Sequence, residues 1–207
     1  MRRTIAIIVV AVVVGATGVL WMFFRMLSYG FSALDEPTAI EAAMARTIRN
    51  LAVPADLRDA SNPVALTPDV LAEARAHWAD HCATCHGNDG KGDTTFGKRM
   101  YPLAPDMTAE ATQSLSDGEL FSIIENGIRL TGMPGWGDGT AESAYGSWTL
   151  VHLIRHLPEV TPEEIAEMEA LNPISPAEYE QRKAEEAFLA GEGSPPPPAE
   201  DHGGHHH

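Results

Sequence analysis

The sequence predicts an all-α protein that carries one membrane-spanning helix near its N-terminus. An uncharged run of 21 residues, Thr4 to Phe24, is long enough to cross a bilayer core at about 1.5 Å of rise per residue. The rest of the chain repeats helix-start signals that are followed by apolar residues at helical spacing. It contains no β-rich segment and no internal repeat, so an all-helical fold is the expectation.

The charge pattern predicts how the apolar run is oriented. Arg2 and Arg3 precede it, and basic residues hold the start of such a helix on the cytoplasmic side. Everything after Arg25 is therefore expected outside the inner membrane, in a single-pass arrangement. Aromatic residues crowd the outer end like an interfacial belt: Trp21, Phe23, Phe24 and Tyr29. A cleaved secretory signal is the alternative, although the run is long for one and no small-x-small site follows it directly.

A linker with one short amphipathic helix is predicted after the anchor. Thr38 and Glu41 have the spacing of a capping box, which predicts a helix start. Four apolar residues then share one helical face: Ile40, Met44, Ile48 and Leu51. We expect this stripe to pack against the next domain or against a partner. Residues 54–67 contain Pro and Asn with little periodicity, and they are predicted to be irregular.

The next predicted helix leads into the most informative stretch of the chain. Thr67 can cap this helix, Pro68 suits its first position, and its apolar face includes Trp78. Directly after it comes Cys82-Ala83-Thr84-Cys85-His86. Two thiols three positions apart, followed at once by a histidine, form the attachment pattern of a c-type haem. Each sulfur can bond one vinyl group, and the imidazole of His86 can bind the iron.

Two other chemistries use closely spaced cysteines. A zinc site would need two further ligands at set spacing, and none follows the pair. A thioredoxin-like pair would lie on a strand-to-helix turn, and no parallel α/β pattern surrounds Cys82. Because Cys82 and Cys85 are the only cysteines of the chain, the sequence predicts one covalent haem and no disulfide framework.

Loops and capped helices alternate after the cysteine pair. The glycine-rich residues 87–93 are predicted to form a tight turn over one edge of the haem. Ser116 and Glu119 form a second capping box, and the helix that they open should stop at Gly127. The segment 131–136 then precedes a last core helix.

Pro158 is predicted to end that last core helix. Two further capping boxes begin helices beyond it: Thr161 with Glu164, and Ser175 with Glu178. The resulting division of the chain is anchor 1–30, linker 31–66, haem domain 67–158, helical extension 159–190, and a Pro/His-rich, mobile tail 191–207. The tail ends in a histidine cluster that fits either weak metal binding or a purification tag.

Residues 68–157 resemble a single-haem, class I cytochrome c, and the anchor adds a likeness to membrane-tethered bacterial members of that class. The resemblance rests on the helix that leads into Cys82-Ala83-Thr84-Cys85-His86, the capped helix that ends at Gly127, the Gly132-Met133-Pro134 loop and the final aromatic helix. It implies an all-helical, cytochrome c-like fold around one covalent haem. It also implies His–Met ligation of the iron and a role in moving single electrons.

The second axial ligand decides between electron transfer and substrate binding at the iron. Three methionines lie within the haem region: Met100, Met107 and Met133. The resemblance selects Met133, with Pro134 fixing the neighbouring backbone and Gly132 and Gly135 allowing close approach to the ring. Met100 and Met107 are expected to fill gaps in the core, and Met107 is the fallback ligand.

The remaining histidines are expected to be structural. By resemblance, the second ring nitrogen of His86 donates to a proline carbonyl, for which Pro102 is the best match. His77 and His81 are predicted at the surface or at the haem edge. His152 and His156 lie one turn apart and could form a metal pair, although an exposed helix face is favoured.

The chain is strongly acidic. Its 14 basic and 29 acidic side chains give a net charge of -15, which excludes nucleic acid as a partner. Residues 68–170 alone hold 17 Asp/Glu and 6 Lys/Arg, a net of -11. This charge favours membrane-bound or periplasmic redox partners with a basic docking face, and simple solubility is the alternative explanation.

Taken together, the resemblance and the tether imply a one-electron carrier of a respiratory chain rather than an enzyme. The alternatives are a haem subunit of a larger membrane oxidoreductase complex, or a peroxidase-like or gas-sensing haem protein with a displaceable sixth ligand. No persuasive His/Arg pair accompanies the predicted ligand loop, which disfavours the last of these.

Overall fold

The computed structural model describes residues 2–29 and 32–191, and all regular structure within them is helical, which confirms the all-α prediction. The helices are α1 (Arg2–Tyr29), α2 (Ala39–Ala52), α3 (Ala55–Arg58), α4 (Pro68–His81), α5 (Ala83–His86), α6 (Glu110–Gln113), α7 (Asp117–Asn126), α8 (Ala141–His156), α9 (Pro162–Leu171) and α10 (Pro176–Leu189). Short 3-10 turns lie at Gly97–Arg99 and Leu157–Glu159. The predicted tail from residue 192 onward lies outside the described residues.

Helix α1 contains one segment, Arg2–Arg25, that is long and apolar enough to cross a membrane. None of this segment is buried against other described parts of the chain. At about 1.5 Å per residue, the 28 residues of α1 extend about 42 Å, which exceeds a hydrocarbon core of about 30 Å. A signal sequence passes the same test of length and composition, so a permanent anchor stays a prediction.

Local signals start the helices where the sequence predicts. All four capping boxes form: Thr38–Glu41, Ser116–Glu119, Thr161–Glu164 and Ser175–Glu178. At the start of α4, the Thr67 hydroxyl accepts the Val70 N–H at 3.2 Å, and Pro68 occupies the first helical position. Each such cap typically contributes about 1 kcal/mol, because it satisfies backbone donors that the helix itself leaves free.

The core forms where α4 packs against α8, with α7 lying on α8 and α9 lying on α4. The fully buried side chains there come from three helices and the turn after α8: Trp78, Leu150, Val151, Leu153, Leu157 and Met168. Met168 belongs to α9, so part of the predicted C-terminal extension completes the core. Arg75 of α4 strengthens this contact through an ion pair with Glu164 at 3.0 Å.

Residues 53–66 lie against this core, although the sequence predicted an irregular linker. The Asn62 amide donates to the Trp148 carbonyl at 2.8 Å, and His152 Nε2 lies 2.7 Å from the Val64 carbonyl oxygen. Helix α3 also forms within this segment. These bonds join residues more than 80 positions apart, so periodicity along the chain gives no sign of them.

The apolar stripe of α2 does not pack against the next domain, which was one of the two expected surfaces, the other being a partner. Its four large side chains are all exposed: Ile40, Met44, Ile48 and Leu51. The helix instead turns its Ala42 and Arg49 side toward the domain, and both of these residues are half-buried. An ideal helical stripe identifies an apolar face, and it does not state what covers that face.

Candidate haem site

The cysteine pair lies at a break between two helices. Helix α4 ends at His81, and the N–H of the capping residue Cys82 bonds to the Trp78 carbonyl at 2.8 Å. The chain then winds into α5, where the N–H groups of Cys85 and His86 bond to the Cys82 carbonyl at 3.1 and 2.9 Å. This helical turn sets the spacing of the two sulfurs and the imidazole, as the sequence predicted for the attachment of one planar group.

His86 is held as a buried, neutral base. Its side chain is 8% exposed, and burial lowers the pKa of the ring to about 4. The Trp78 ring lies 5.8 Å away between ring centroids, and Trp78 Nε1 donates to the Gly87 carbonyl at 2.9 Å. A neutral imidazole keeps a lone pair free for a metal ion at physiological pH.

The second ring nitrogen of His86 lacks the hydrogen bond that the resemblance implied. Nδ1 is buried and has no hydrogen-bond partner, so the expected bond to the Pro102 carbonyl is absent. The segment that carries Pro102 is instead held by a bond from the Ala104 N–H to the Gly97 carbonyl, at 3.0 Å. Burying a polar nitrogen without a hydrogen bond costs free energy of folding. This ring is therefore a candidate for a role beyond packing in the core.

Both cysteines are free thiols. Burial, and then the neighbouring Cys85, raise the pKa of Cys82 to about 12. A thiol that resists ionisation is unlike the low-pKa thiolate of a disulfide oxidoreductase. Among the described residues, no group of three or more His, Cys, Asp and Glu side chains could hold a metal ion.

The glycine-rich loop folds back under the histidine. The Gly92 N–H bonds to the His86 carbonyl at 2.8 Å, and the Thr94 hydroxyl donates to the Cys85 carbonyl at 3.1 Å. Gly87 has a φ of +73°, a left-handed backbone that glycine adopts without strain. A Cβ at Gly97 would overlap the Cys85 carbonyl oxygen. The loop therefore holds the backbone of the cysteine–histidine segment through the carbonyls of Cys85 and His86.

Met133 lies on a separate loop after α7, and that loop is tied to the end of the helix. The Ile128 N–H bonds to the Met133 carbonyl at 3.1 Å, and the Met133 N–H donates to the Thr131 hydroxyl at 3.1 Å. Leu130, at the tip, has a φ of +64°, which is unusual for a residue other than glycine. Met133 is half-buried.

The two other methionines have different surroundings, which the sequence did not predict. Met107 packs against the core cluster, as expected for a gap-filling residue. Met100 instead lies against the loop that carries Met133, because a Cβ at Gly132 would overlap the Met100 sulfur. Nothing in the local sequence identifies this contact, which joins two irregular segments 32 positions apart.

The other histidines of the domain have protein partners. His156 Nε2 lies 2.9 Å from Glu164, and both His152 and His156 are half-buried, so the expected exposed face is wrong for this helix. The His77 and His81 rings meet edge to face at 5.2 Å, and His81 lies 5.2 Å from the ring of Trp136.

The residues of this site fit a covalently bound haem. Two free thiols and a neutral imidazole with an unpartnered buried nitrogen lie on one helical turn. Apolar side chains are exposed on the loops that follow: Phe96, Leu103 and Trp136. A flat apolar group would remove such side chains from water. Cys82 and Cys85 would hold the haem, and His86 would bind its iron.

Comparison with known families agrees with this chemistry. Residues 69–153 match the family model described as cytochrome c oxidase, cbb3-type, subunit III. The matched region runs from the first turn of α4 almost to the end of α8, and it contains Cys82, Cys85, His86 and Met133. No curated protein matches the chain.

The fold and the site therefore define a c-type cytochrome: a helical domain that carries haem c and transfers electrons. Within that class, the matched region is similar to the cytochrome c domain of cbb3-type oxidases. The match covers less than half of the chain, and α1, α2 and α10 lie outside it.

Proposed function

We propose that this protein is a membrane-tethered carrier of single electrons with one haem, whose iron is bound by His86 and Met133. When bound, the haem supplies an Fe(II)/Fe(III) couple, which a thioether ligand shifts toward Fe(II). The helical segment with its buried, neutral His86 is the observation that carries the proposal. Two cysteines allow one covalent attachment, and the apolar length of α1 supports a single-pass anchor.

The proposal places the haem domain outside the inner membrane and in a respiratory chain. Arg2 and Arg3 at the start of α1 support this orientation. The acidic surface supports partners with a basic docking face, because opposite charges steer encounter. In this view the protein binds no substrate at the iron and is a carrier, not an enzyme.

The test is the visible spectrum of the full-length, haem-loaded protein, reduced with dithionite before and after addition of carbon monoxide. We expect no change in the natural protein, because Met133 saturates the iron. We expect Met133→Ala to bind carbon monoxide and to lower the reduction potential. Met107→Leu is the matched control, since it removes a thioether that packs in the core, and its spectrum should not change.

Two results would contradict the ligand assignment. One is prompt binding of carbon monoxide to the natural protein, which would favour the peroxidase-like or gas-sensing alternative. The other is an unchanged spectrum and potential in Met133→Ala. A third variant, Met100→Leu, then asks whether the thioether next to Gly132 binds the iron instead.

A second candidate is a haem subunit of a larger membrane oxidoreductase complex. The matching family model is named for a subunit, and this observation favours the candidate. A subunit role is compatible with electron transfer, and it differs from a free carrier in predicting a stable assembly with other proteins. Gentle solubilisation of native membranes should then recover the protein with other subunits. Recovery of the free monomer alone would contradict it.

A further inference from the structure

One face of α2 exposes more aliphatic surface than a water-soluble helix normally does. Ile40, Met44, Ile48 and Leu51 are 74%, 59%, 63% and 73% exposed. Their spacing of four, four and three residues places them along one stripe, about 17 Å long at about 1.5 Å per residue. No charged residue lies between these side chains: Arg46 and Arg49 lie on the other side of the helix, and Glu41 borders the stripe.

The side of α2 that lies away from the stripe faces the domain, because Ala42 and Arg49 on that side are half-buried. Tyr101, which lies in the loop after the cysteine–histidine segment, donates its hydroxyl to Glu41 at 2.6 Å. The Arg58 guanidinium donates to the carbonyl of Val53, just after α2, at 3.2 Å, and the Val53 side chain is buried. The stripe therefore points away from the domain, and covering it takes a partner outside the domain.

The short connection between α1 and α2 identifies the surface that lies closest to the stripe. Helix α1 ends at Tyr29 and α2 begins at Ala39, so nine residues join them. Even fully extended, nine residues reach only about 30 Å. If α1 spans a bilayer, α2 is therefore held beside the surface of that bilayer. The connector itself carries an exposed apolar side chain, Leu34.

We propose that α2 lies in the interface of the bilayer that α1 spans, with its aliphatic stripe in the lipid. Burial of such a stripe at the boundary between headgroups and acyl chains is the usual way in which an amphipathic helix binds a membrane surface. Arg46, on the opposite side, stays in water. This inference depends on the proposed tether, and it adds that the haem domain is held at the membrane through Glu41 and Tyr101 rather than swinging on a loose linker.

Thiol accessibility in the full-length, haem-loaded protein tests the proposal. The haem uses both natural cysteines, so one introduced cysteine is the only free thiol. Ile48→Cys reports the stripe, Met44→Cys repeats the measurement one turn away, and Arg46→Cys is the control on the same helix. Each variant is placed in nanodiscs of pure lipid, one copy per disc, and treated with a water-soluble maleimide. Rates are normalised to those of the unfolded variants.

We expect Ile48→Cys and Met44→Cys to react at least tenfold more slowly than Arg46→Cys. Equal rates in pure lipid would overturn the proposal. Protection that appears only in native membranes would also overturn it, and would assign the face to a protein partner. One copy per disc excludes a second copy as the cause.

A separate measurement shows whether α1 anchors the protein, independently of where α2 lies. If a carbonate wash removes the protein from lipid vesicles, α1 is not an anchor and the proposed function fails at that point. If the protein stays in the vesicles with an intact haem spectrum while the thiol rates are equal, only the placement of α2 is wrong.

Discussion

At the scale of single residues, the site depends on a few backbone contacts around one imidazole. Trp78 is buried in the core, lies against His86 and donates to the Gly87 carbonyl. It therefore connects the hydrophobic core directly to the end of the cysteine–histidine segment. Nδ1 of His86 has no hydrogen-bond partner, and the Trp78 ring lies against the imidazole.

Replacement of this tryptophan tests that role. Trp78→Phe keeps an aromatic ring and loses the bond to Gly87, so we expect a loss of about 1–3 kcal/mol of unfolding free energy. Urea unfolding of the haem-loaded protein, followed by the visible spectrum, measures it. Trp148→Phe is the control, because it preserves an aromatic ring that stacks on Phe121 and leaves the Gly87 bond intact. Equal losses in the two variants would argue against a special role for Trp78.

The contact between Met100 and Gly132 gives a second prediction. Gly132→Ala should cost about 1 kcal/mol of stability, because its Cβ overlaps the Met100 sulfur and a flexible thioether must move. In a background of Met100→Ala, the same change should cost close to nothing. A double-mutant cycle of unfolding free energies measures the coupling. Additive effects would mean that the two residues do not touch in the haem-loaded protein.

At the scale of helices, the Glu164 carboxylate is a polar contact between α9 and the haem domain, beside the buried Met168. Burial alone would raise the pKa of Glu164, but the Thr161 N–H, His156 and Arg75 outweigh it and hold the pKa below its ordinary value of 4.5. A carboxyl with a lowered pKa stabilises the folded state above its unfolded pKa. That stabilisation disappears as the pH falls through the folded pKa.

Acidification should therefore weaken the contact between α9 and the core. We expect the natural protein to lose unfolding free energy between pH 6 and pH 3.5, and Glu164→Gln to lose less over the same range. Glu163→Gln, at an exposed neighbouring position, is the control and should follow the natural protein. Urea unfolding at the two pH values measures the difference. Identical pH dependence in all three proteins would exclude Glu164 as the group responsible.

At the scale of the whole molecule, negative charge dominates encounter with other molecules. The region from residue 68 to 170 has a net charge of -11 before haem propionates are added. Electrostatic steering acts over a screening length of about 30 Å at 0.01 M salt and about 8 Å at 0.15 M. Salt should therefore change the rates of electron transfer in a direction set by the charge of the partner.

Small inorganic oxidants of opposite charge make this measurable. With a cationic metal complex, we expect the oxidation rate of the reduced haem to fall several-fold between these two salt concentrations. With an anionic complex of similar size, the rate should rise, which makes it the matched control. Stopped-flow absorbance records both rates. A response of the same sign with both oxidants would show that charge does not control access to the haem.

The local chemistry of this protein was predictable from sequence because it depends on residues close together in the chain. The cysteine–histidine segment, the four capping boxes and the apolar length of α1 are all patterns within a few residues or one continuous run. The structure contains the capped helices, and the family match bears out the cytochrome c class. The choice of Met133 as ligand rests on resemblance and stays a prediction.

Only the tertiary structure decided what lies against what. It placed Met100 on Gly132, joined His152 to Val64, and left Nδ1 of His86 without a partner. It also turned the stripe of α2 away from the domain, which was one of the two surfaces expected to cover it. These outcomes join segments far apart in the chain, and the same periodic pattern is compatible with a protein core, a partner or a lipid surface. The sequence by itself determined the cysteine–histidine pattern, and the packing of distant segments determined which groups surround that segment.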